Sequence, residues 1–469
     1  MGCFMGNVSN SIITDLKNYA ESIVDDRHTP AVSLAVWKDG QLYQGAAGIL
    51  NLKTGVEATA DSIFQIGSIT KVFTTCLVMQ LVDEGRVELD APVKRYLRDF
   101  QIADAKATQM ITVRQLLNHT NGIAGDFFPD DGGCEGNPIA RYVDRCNLLP
   151  IIHPIGEMYS YSNSAFAIAG RLIEVVLGIS WYQAMQEFIY RPLGMNQAIA
   201  DPAEAIRYRA AMGHVVRDGN ADQWQLAEKA YLPLGLAPVG STPTMSAANL
   251  ITFARAHLDK GLSQSGERWL STASIAEMQR PHIELPKYSH ISCKYAGIGW
   301  GITDYNPNNT RVIGHGGATS GSLAMVNILP AQNSAYVILM NGFQPTAMDA
   351  INRDLLMAVA GIDTTEPDPA PTLSIPLEPY IGSYESLDIV IDIRMADEML
   401  VANIDYKTDP LPPTDLALVP VDENCFAAYT GEGTRAKNLA FVPHYADDRP
   451  AYLFLGGRLN RRVSREKAI

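Results

Sequence analysis

FQIGSITK at residues 64–71 leads directly into a run of helical periodicity from Ile69 to Glu84, and together they decide the fold. The stretch holds Ser68 and Lys71 in a Ser-x-x-Lys pattern. If Ser68 opens the helix, Lys71 lies one turn later on the same face, about 5–6 Å away between Cβ atoms. Burial would lower the pKa of this lysine and let it act as a base, while the helix N-terminus would offer N–H groups to an oxyanion. A nucleophile and its base are therefore predicted within one turn, although an ordinary serine N-cap gives the same pattern.

A helix and a β-hairpin are predicted before this stretch. Apolar residues recur at helical spacing from Asn10 to Asp25, and Pro30 cannot extend that helix. The runs at 31–37 and 42–48 have strand character, and Asp39-Gly40 between them supplies the positive φ of a tight turn. The chain should thus open with a helix and two antiparallel strands.

Periodicity changes from helical to strand-like along the rest of the first 363 residues. Helices are predicted at 112–118, where Thr112 and Gln115 fit a capping box, and at 164–177, 181–189 and 247–258. Strands are predicted at 299–303, 311–313, 322–329 and 335–340, with a helix at 347–360. This order favours an α/β fold of the α+β kind, in which helices flank an antiparallel sheet and form an all-helical subdomain.

The 469 residues exceed what one hydrophobic core normally serves, so a second domain is expected. A proline-rich stretch at 364–376 has the character of a semi-rigid linker. Short strand-like runs after it predict a small all-β barrel; they lie at 388–393, 399–404, 416–421, 426–429, 439–442, 452–455 and 458–463. The predicted domains are a flexible N-terminus at 1–9, a catalytic domain at 10–363, this linker and a barrel at 377–469.

The composition excludes several classes of partner. A net charge of −14 disfavours nucleic acid and anionic membrane surfaces, and no window reaches 18 apolar residues. The six cysteines and nine histidines show no metal-ligand spacing, so we expect neither a metal nor another cofactor. Cys134 and Cys146 flank a loop and are either bridged or free thiols. The first residues lack a secretory pattern, which makes a cytoplasmic location the default and leaves an exported form open.

Four stretches in this order resemble the serine β-lactamase and penicillin-binding protein superfamily, above all its class C-like, D-aminopeptidase and esterase branch. They are IFQIGSITKVFT at 63–74, TVRQLLNHTNGI at 112–123, GEMYSYSNSAFAIAGRLIE at 156–174 and IGHGGATSGS at 313–322, supported by YAGIGWGI at 295–302. The resemblance covers residues 10–362 and implies a β-lactamase/transpeptidase-like fold. A weaker one, from LEPYIGSY at 377–384, implies a lipocalin-like C-terminal domain.

The resemblance implies a role for several residues. Ser68 is then the nucleophile, Lys71 its partner and Tyr161 the relay of protons, and this phenol would have to be ionised by a neighbouring cation such as Lys71. Asn163 positions the substrate beside His315 and Gly317 on a strand edge. The oxyanion hole consists of the backbone N–H groups of Ser68 and Ala318. His119 is assigned a structural role at a helix end and is left out of the site.

The leading hypothesis is a serine hydrolase that forms an acyl-Ser68 intermediate on amide or ester bonds, in the manner of a peptidase or a carboxylesterase. By the resemblance, His315-Gly316-Gly317 stands where the family carries Lys-Thr-Gly or His-x-Gly. The histidine lacks the permanent charge with which classical penicillin targets hold a substrate carboxylate, so strong β-lactamase activity is less expected. An acyltransferase using the same residues and a non-catalytic penicillin-binding sensor stay open. The expected partner is a small molecule or short peptide, and association of copies of the chain through the C-terminal domain is left open.

Overall fold

The structure is a computed structural model that describes residues 12–129, 136–216, 223–286, 293–305, 310–364, 373–407, 413–431, 433–446 and 449–464. The predicted flexible N-terminus at 1–9 and Cys134 lie outside these residues. So does most of the predicted linker. Cys146 is buried, and its Sγ donates to the Tyr142 carbonyl over 3.6 Å.

Within the described residues, nine strands form one antiparallel sheet in the order β3-β2-β1-β14-β13-β12-β11-β10-β9. Their bounds are β1 Ala31–Lys38, β2 Gln41–Asn51, β3 Val56–Glu57, β9 Ile283–Glu284, β10 Tyr295–Ala296, β11 Gly301–Tyr305, β12 Thr310–Thr319, β13 Ser322–Leu329 and β14 Ser334–Met340. Small ribbons pair β4 Phe64–Gln65, β5 Ala198–Ile199 and β8 Thr244–Met245, and β6 His214–Val216 with β7 Trp224–Leu226. Strands from the two ends of this part of the chain meet where β1 pairs with β14.

Helices cover both faces of this sheet. On one face α1 Leu16–Arg27 and α11 Pro345–Ala360 pack with the apolar side chains of β1 and β14. The larger core on the other face contains the remaining helices; they are α2 Thr70–Asp83, α3 Ala105–Met110, α4 Val113–Leu117, α5 Pro138–Arg145, α6 Asn163–Leu177, α7 Trp181–Met185, α8 Arg191–Leu193, α9 Ala247–Leu258 and α10 Thr272–Met278. The predicted capping box at Thr112 and Gln115 is present and begins α4. The predicted fold class is confirmed.

The helix predicted at 181–189 is interrupted. After Met185 the chain makes a π-turn at Gln186–Tyr190, followed by the short α8. Pro192 has no N–H, so the carbonyl of Phe188 loses its helical donor. Instead it accepts hydrogen bonds from Trp269 Nε1 at 2.8 Å and Gln80 Nε2 at 3.1 Å. The irregular turn therefore ties this helix to its neighbours.

No single helix among the described residues has the length and apolar composition needed to cross a membrane. One pair, Asn163–Leu177 with Trp181–Leu193, meets those criteria only jointly and is bent by 83°.

The C-terminal residues form a closed antiparallel barrel of eight described strands. They are β15 Gly382–Glu385, β16 Ile389–Ala396, β17 Met399–Tyr406, β18 Thr414–Asp422, β19 Cys425–Tyr429, β20 Arg435–Ala446, β21 Arg449–Leu455 and β22 Arg458–Val463. The sequence pattern predicted seven of these and missed β15, which closes the barrel by pairing with both β16 and β22. At four residues that include a glycine, β15 is too short to show strand alternation, although Tyr384 within it is fully buried.

Gly170 in α6 offers a test of the packing beneath the site, since a Cβ there would overlap the ring of Pro238. The carbonyl of Pro238 accepts from Thr74 of α2 at 2.8 Å, so the same turn holds the helix that carries Lys71. We expect Gly170→Val to lower the free energy of unfolding by about 1–3 kcal/mol, because this contact cannot accept more volume.

Urea unfolding followed by tryptophan fluorescence measures this effect in the catalytic part, because all five tryptophans precede residue 364. Gly431→Val is the control: that glycine is exposed, a Cβ on it would have no heavy atom within 4 Å, and the change in stability should be less than about 0.5 kcal/mol. Equal stability of Gly170→Val and the unaltered protein would contradict the packing argument.

Candidate active site

Ser68 lies in a 3₁₀ turn, Gly67–Ile69, immediately before α2, and Lys71 lies in the first turn of that helix. Lys71 Nζ is 3.0 Å from Ser68 Oγ and donates to the Val239 carbonyl at 3.0 Å. The lysine is completely buried, whereas Ser68 is half-buried and accessible. Burial holds the pKa of Lys71 well below its usual range, and the nearby positive charge of Arg458 contributes to a smaller extent. The amine is therefore suited to accept the Ser68 proton.

The predicted oxyanion amides lie on two backbone segments in direct contact. Gly67 has φ +51°, and a Cβ on it would be 2.6 Å from the nitrogen of Ala318. A Cβ on Gly317 would overlap the carbonyl of Ile66 and reach within 3.2 Å of the Ser68 nitrogen. Only glycine permits this approach at both positions. The backbone nitrogens of Ser68 and Ala318 therefore lie on adjacent segments beside the nucleophile.

Tyr161 stands on the opposite side of Lys71, whose Nζ lies 4.8 Å from the centre of the phenol ring. Burial raises the pKa of Tyr161, and a hydrogen bond with Ser68 and the charge of Arg458 offset only part of that rise. The expectation that Lys71 ionises this phenol is therefore wrong, because burial disfavours charge on both groups. The same burial thus favours the uncharged amine of Lys71 and the uncharged phenol of Tyr161.

The backbone around Tyr161 is held from two sides. His119 accepts from Ser160 N with its carbonyl at 3.0 Å and from Ser162 N with its ring Nδ1 at 2.9 Å. The same imidazole stacks on the Tyr161 phenol, with ring centroids 4.3 Å apart. From the barrel, the Gly457 carbonyl accepts from Tyr161 N at 2.8 Å. His119 therefore belongs to the site as a positioning residue, although its motif was assigned to a helix end.

Arg458 extends from the barrel to the substrate-positioning asparagine through Asp126. Its Nε and one terminal nitrogen donate to the two carboxylate oxygens of Asp126 at 2.6 and 3.1 Å. Asn163 Nδ2 donates to the same carboxylate at 2.6 Å. The guanidinium also lies 4.9 Å from the centre of the Tyr161 ring. This bidentate pair orients the Asn163 amide and neutralises most of the charge that the arginine brings.

His315 projects into the same cleft from β12. Its ring centroid is 6.3 Å from that of Tyr161, and its Nδ1 lies 2.6 Å from the Gly316 carbonyl. Burial and the Lys71 amine lower the pKa of His315 to about 4. At neutral pH the imidazole is uncharged, so it does not supply the permanent positive charge of a lysine.

A cavity of about 510 Å³ lies in front of these groups, with Lys71 and Asp126 behind its wall. Besides Ser68, Tyr161 and His315, its wall includes Trp300 and, from the barrel, Arg458. Among the described residues no group of three or more His, Cys, Asp or Glu side chains is arranged to hold a metal ion. The predicted residues Ser68, Lys71, Tyr161, Asn163, His315, Gly317 and Ala318 all converge here.

Sequence reasoning missed Asp126 and Arg458. Asp126 lies outside the four motif stretches, and Arg458 was placed only as the first residue of a barrel strand. The one available signal was Gly456-Gly457 before Arg458, a tight hairpin turn in which both glycines have positive φ. Those two glycines predict a turn, but they do not predict that the turn contacts the active site.

The chain is similar in sequence to proteins of one known family. The Beta-lactamase family model matches residues 16–361. Penicillin-binding protein 4 of Amycolatopsis lactamdurans is 36% identical over 78% of this chain and 95% of its own. Unguisins hydrolase ungD' of Aspergillus campestris is 24% identical over 88% and 83%.

Solved structures match the fold along both parts of the chain. SurE superposes with a TM-score of 0.77 at 24% identity, over 99% of this chain and 100% of its own, and it has also been solved with D-Leu. The octameric penicillin-binding protein homologue from Pyrococcus abyssi has a TM-score of 0.62 at 21% identity, over 94% and 98%. The β-lactamase-like fold is confirmed, and the closed C-terminal barrel fits a lipocalin-like domain.

The histidine geometry predicts two protonation states. In His119, Nδ1 accepts a backbone hydrogen bond, so the proton should reside on Nε2, and burial keeps the pKa well below its usual range. His315 should titrate near pH 4. Nitrogen NMR of ¹⁵N-histidine-labelled protein, assigned with His119→Gln and His315→Gln, measures both. A His119 signal that titrates near 6.5, or that reports a protonated Nδ1, would contradict the hydrogen bond from Ser162 N to His119 Nδ1.

Proposed function

This chain belongs to the Beta-lactamase family of serine hydrolases, and from that premise we propose that it cleaves ester or amide bonds through an acyl-Ser68 intermediate. One observation carries the proposal: a fully buried lysine of lowered pKa lies 3.0 Å from an accessible serine hydroxyl, beside paired backbone amides. Burying an amine without an acidic partner is costly, and it is useful where the amine must accept a proton.

Acylation follows from the positions of these groups. Lys71 accepts the Ser68 proton as Oγ bonds to the substrate carbonyl carbon, and the N–H groups of Ser68 and Ala318 stabilise the oxyanion. When the intermediate collapses, the bond to the alcohol or amine breaks and the Tyr161 hydroxyl protonates that leaving group. The Lys71 ammonium returns its proton to Tyr161. A water molecule then attacks the acyl carbon and gives one proton to the same pair. When this second intermediate collapses, the bond to Ser68 Oγ breaks, the pair returns the proton to Oγ, and the acid leaves.

The charges around the cleft favour uncharged esters and amides over carboxylate-bearing β-lactams. His315 is neutral above pH about 4, and Arg458 is paired with Asp126. Neither therefore offers the strong carboxylate site that a lysine at position 315 would provide. Aminoacyl substrates, including those with D-residues, are the first to test, since SurE has been solved with D-Leu and a fungal relative is a hydrolase.

We propose a small-molecule or short-peptide substrate as the partner. Association of copies through the barrel stays a prediction, to which the octameric Pyrococcus abyssi homologue gives a precedent. A single-turnover sensor and an acyltransferase use the same site. Product beyond one equivalent of enzyme excludes the sensor, and diversion of product to an added amine or alcohol reveals transfer.

Ser68→Ala should reduce turnover by at least about a thousandfold, because the mutant has no nucleophile to acylate. The substrates are a p-nitrophenyl ester, D- and L-aminoacyl p-nitroanilides and a chromogenic cephalosporin. Ser22→Ala, which alters an exposed serine of α1, is the matched control and should keep full activity. If Ser68→Ala stays active, or if a fluorophosphonate leaves Ser68 unlabelled, the proposed mechanism is wrong.

Arg458→Gln should shift the acidic limb of the pH profile of kcat/KM to higher pH. The positive charge of Arg458 lowers the pKa of Lys71 and that of Asp126 raises it, so removing the arginine leaves the carboxylate to favour the protonated amine. More alkaline solution is then needed to obtain the neutral base.

Asp126→Asn/Arg458→Gln serves as the control for this prediction. It removes both charges and retains an acceptor for Asn163, so its profile should return toward that of the unaltered enzyme. A shift of Arg458→Gln to lower pH, or an equal shift in both variants, would show that Arg458 does not act on Lys71 by charge.

A further inference from the structure

The cavity at Ser68 continues past the edge of β12 to the opposite face of the sheet. There it lies between the sheet and α11, and we name this part the far chamber. Its apolar wall contains Val312 and Met325 from the sheet and Met348 and Leu356 from α11. Met348 and Leu356 are two turns apart on one helix stripe, and Asn352 lies between them, so the helix presents two apolar side chains separated by an amide.

The sheet edge is open where the two parts of the cavity join. β11 pairs with β12 only over residues 310–314, which leaves the β12 edge from His315 onward without a partner in β11. Residues alternate between the faces: His315 and Gly317 face the Ser68 side, and Gly316 faces the far chamber. A Cβ on Gly316 would have only the Ala324 carbonyl within 4 Å, at 3.9 Å, so the passage is not blocked by packing.

One part of the far-chamber wall is polar. Tyr336 Oη donates to Asn352 Oδ1 at 2.7 Å, and Asn327 Nδ2 donates to the same oxygen at 3.0 Å. The Asn327 amide also fills the space beside Gly314, because a Cβ on Gly314 would overlap Asn327 Oδ1. Asp349, on the exposed side of α11, brings a carboxylate to the rim. These groups accept a neutral apolar chain and disfavour an anionic one.

The direction of β12 indicates which part of a substrate reaches this chamber. The strand runs back from the oxyanion amide at Ala318 past Gly316 and His315, advancing about 3.3 Å per residue. Tyr161, which protonates the leaving group, stands on the His315 side of the cleft. The leaving group therefore departs toward the open edge.

We infer that the far chamber is a subsite for the apolar chain of the leaving alcohol or amine. In the reverse direction it would hold the same part of an acceptor. This inference rests on the proposed acyl-Ser68 chemistry and adds to it a preference for substrates with an extended aliphatic leaving group.

The test uses ethyl, butyl, hexyl and octyl esters of one acid, and the release of that acid measures the rate of hydrolysis. With the unaltered enzyme, kcat/KM should rise with the length of the alcohol, by up to about fourfold for each methylene that is buried. Met348→Trp fills the chamber and should abolish this rise, so that kcat/KM for the octyl ester no longer exceeds that for the ethyl ester. Met348→Ala enlarges it and should move the optimum to a longer alcohol, which keeps the test valid if the tryptophan variant does not fold.

Met357→Trp is the matched control, since Met357 is a half-buried methionine of the same helix outside the cavity wall, and its octyl-to-ethyl ratio should equal that of the unaltered enzyme. A second series keeps ethanol and lengthens the acid. If Met348 variants change the acyl preference instead, or lower every ester equally, the subsite assignment is overturned. Failure of the proposed function looks different, because then no ester is cleaved in a Ser68-dependent way.

Discussion

The burial of Lys71 is the constraint on which the rest of the site depends. An amine withdrawn from water resists protonation, and here it contacts a carbonyl, a hydroxyl and aromatic rings, with the nearest carboxylate already paired to Arg458. The same burial raises the pKa of Tyr161. In the proposed reaction the Lys71 ammonium and the Tyr161 phenolate form beside each other, and the proton that then passes between them restores two uncharged groups. The cost of burying two polar side chains is met by the helical core packed around α2.

The barrel takes part in building this environment. The Tyr161 backbone is hydrogen-bonded to His119 on one side and to Gly457 on the other, and Leu459 N donates to Ser160 Oγ at 3.1 Å. Arg458 then connects the barrel to Asn163 through Asp126. Displacement of the barrel would release Tyr161 N from Gly457, leave the Asp126 carboxylate without Arg458 and raise the pKa of Lys71. Catalytic geometry and domain docking are therefore coupled through a few hydrogen bonds.

Glycines determine how closely the two sides of the cleft approach. Gly67 and Gly317 let the oxyanion segments touch, whereas Gly316 leaves space on the other face of the same strand. One short stretch of β12 thus packs tightly against the nucleophile and opens toward α11. This is possible because successive residues of a β-strand face opposite sides of the sheet, so Gly317 can contact the Ser68 segment while Gly316 faces α11.

The sequence by itself determined the local features of this protein. Hairpin, capping box, the serine–lysine turn and most barrel strands follow from contacts between residues close in the chain, which side-chain periodicity and turn chemistry encode. Only the tertiary structure decided that Arg458 and Asp126, 332 residues apart, form an ion pair at Asn163, and that His119 supports Tyr161. It also decided the protonation of Tyr161, because desolvation depends on everything packed around a group. No single stretch of sequence records that environment, and so the residues were predicted while their charge states and long-range partners were not.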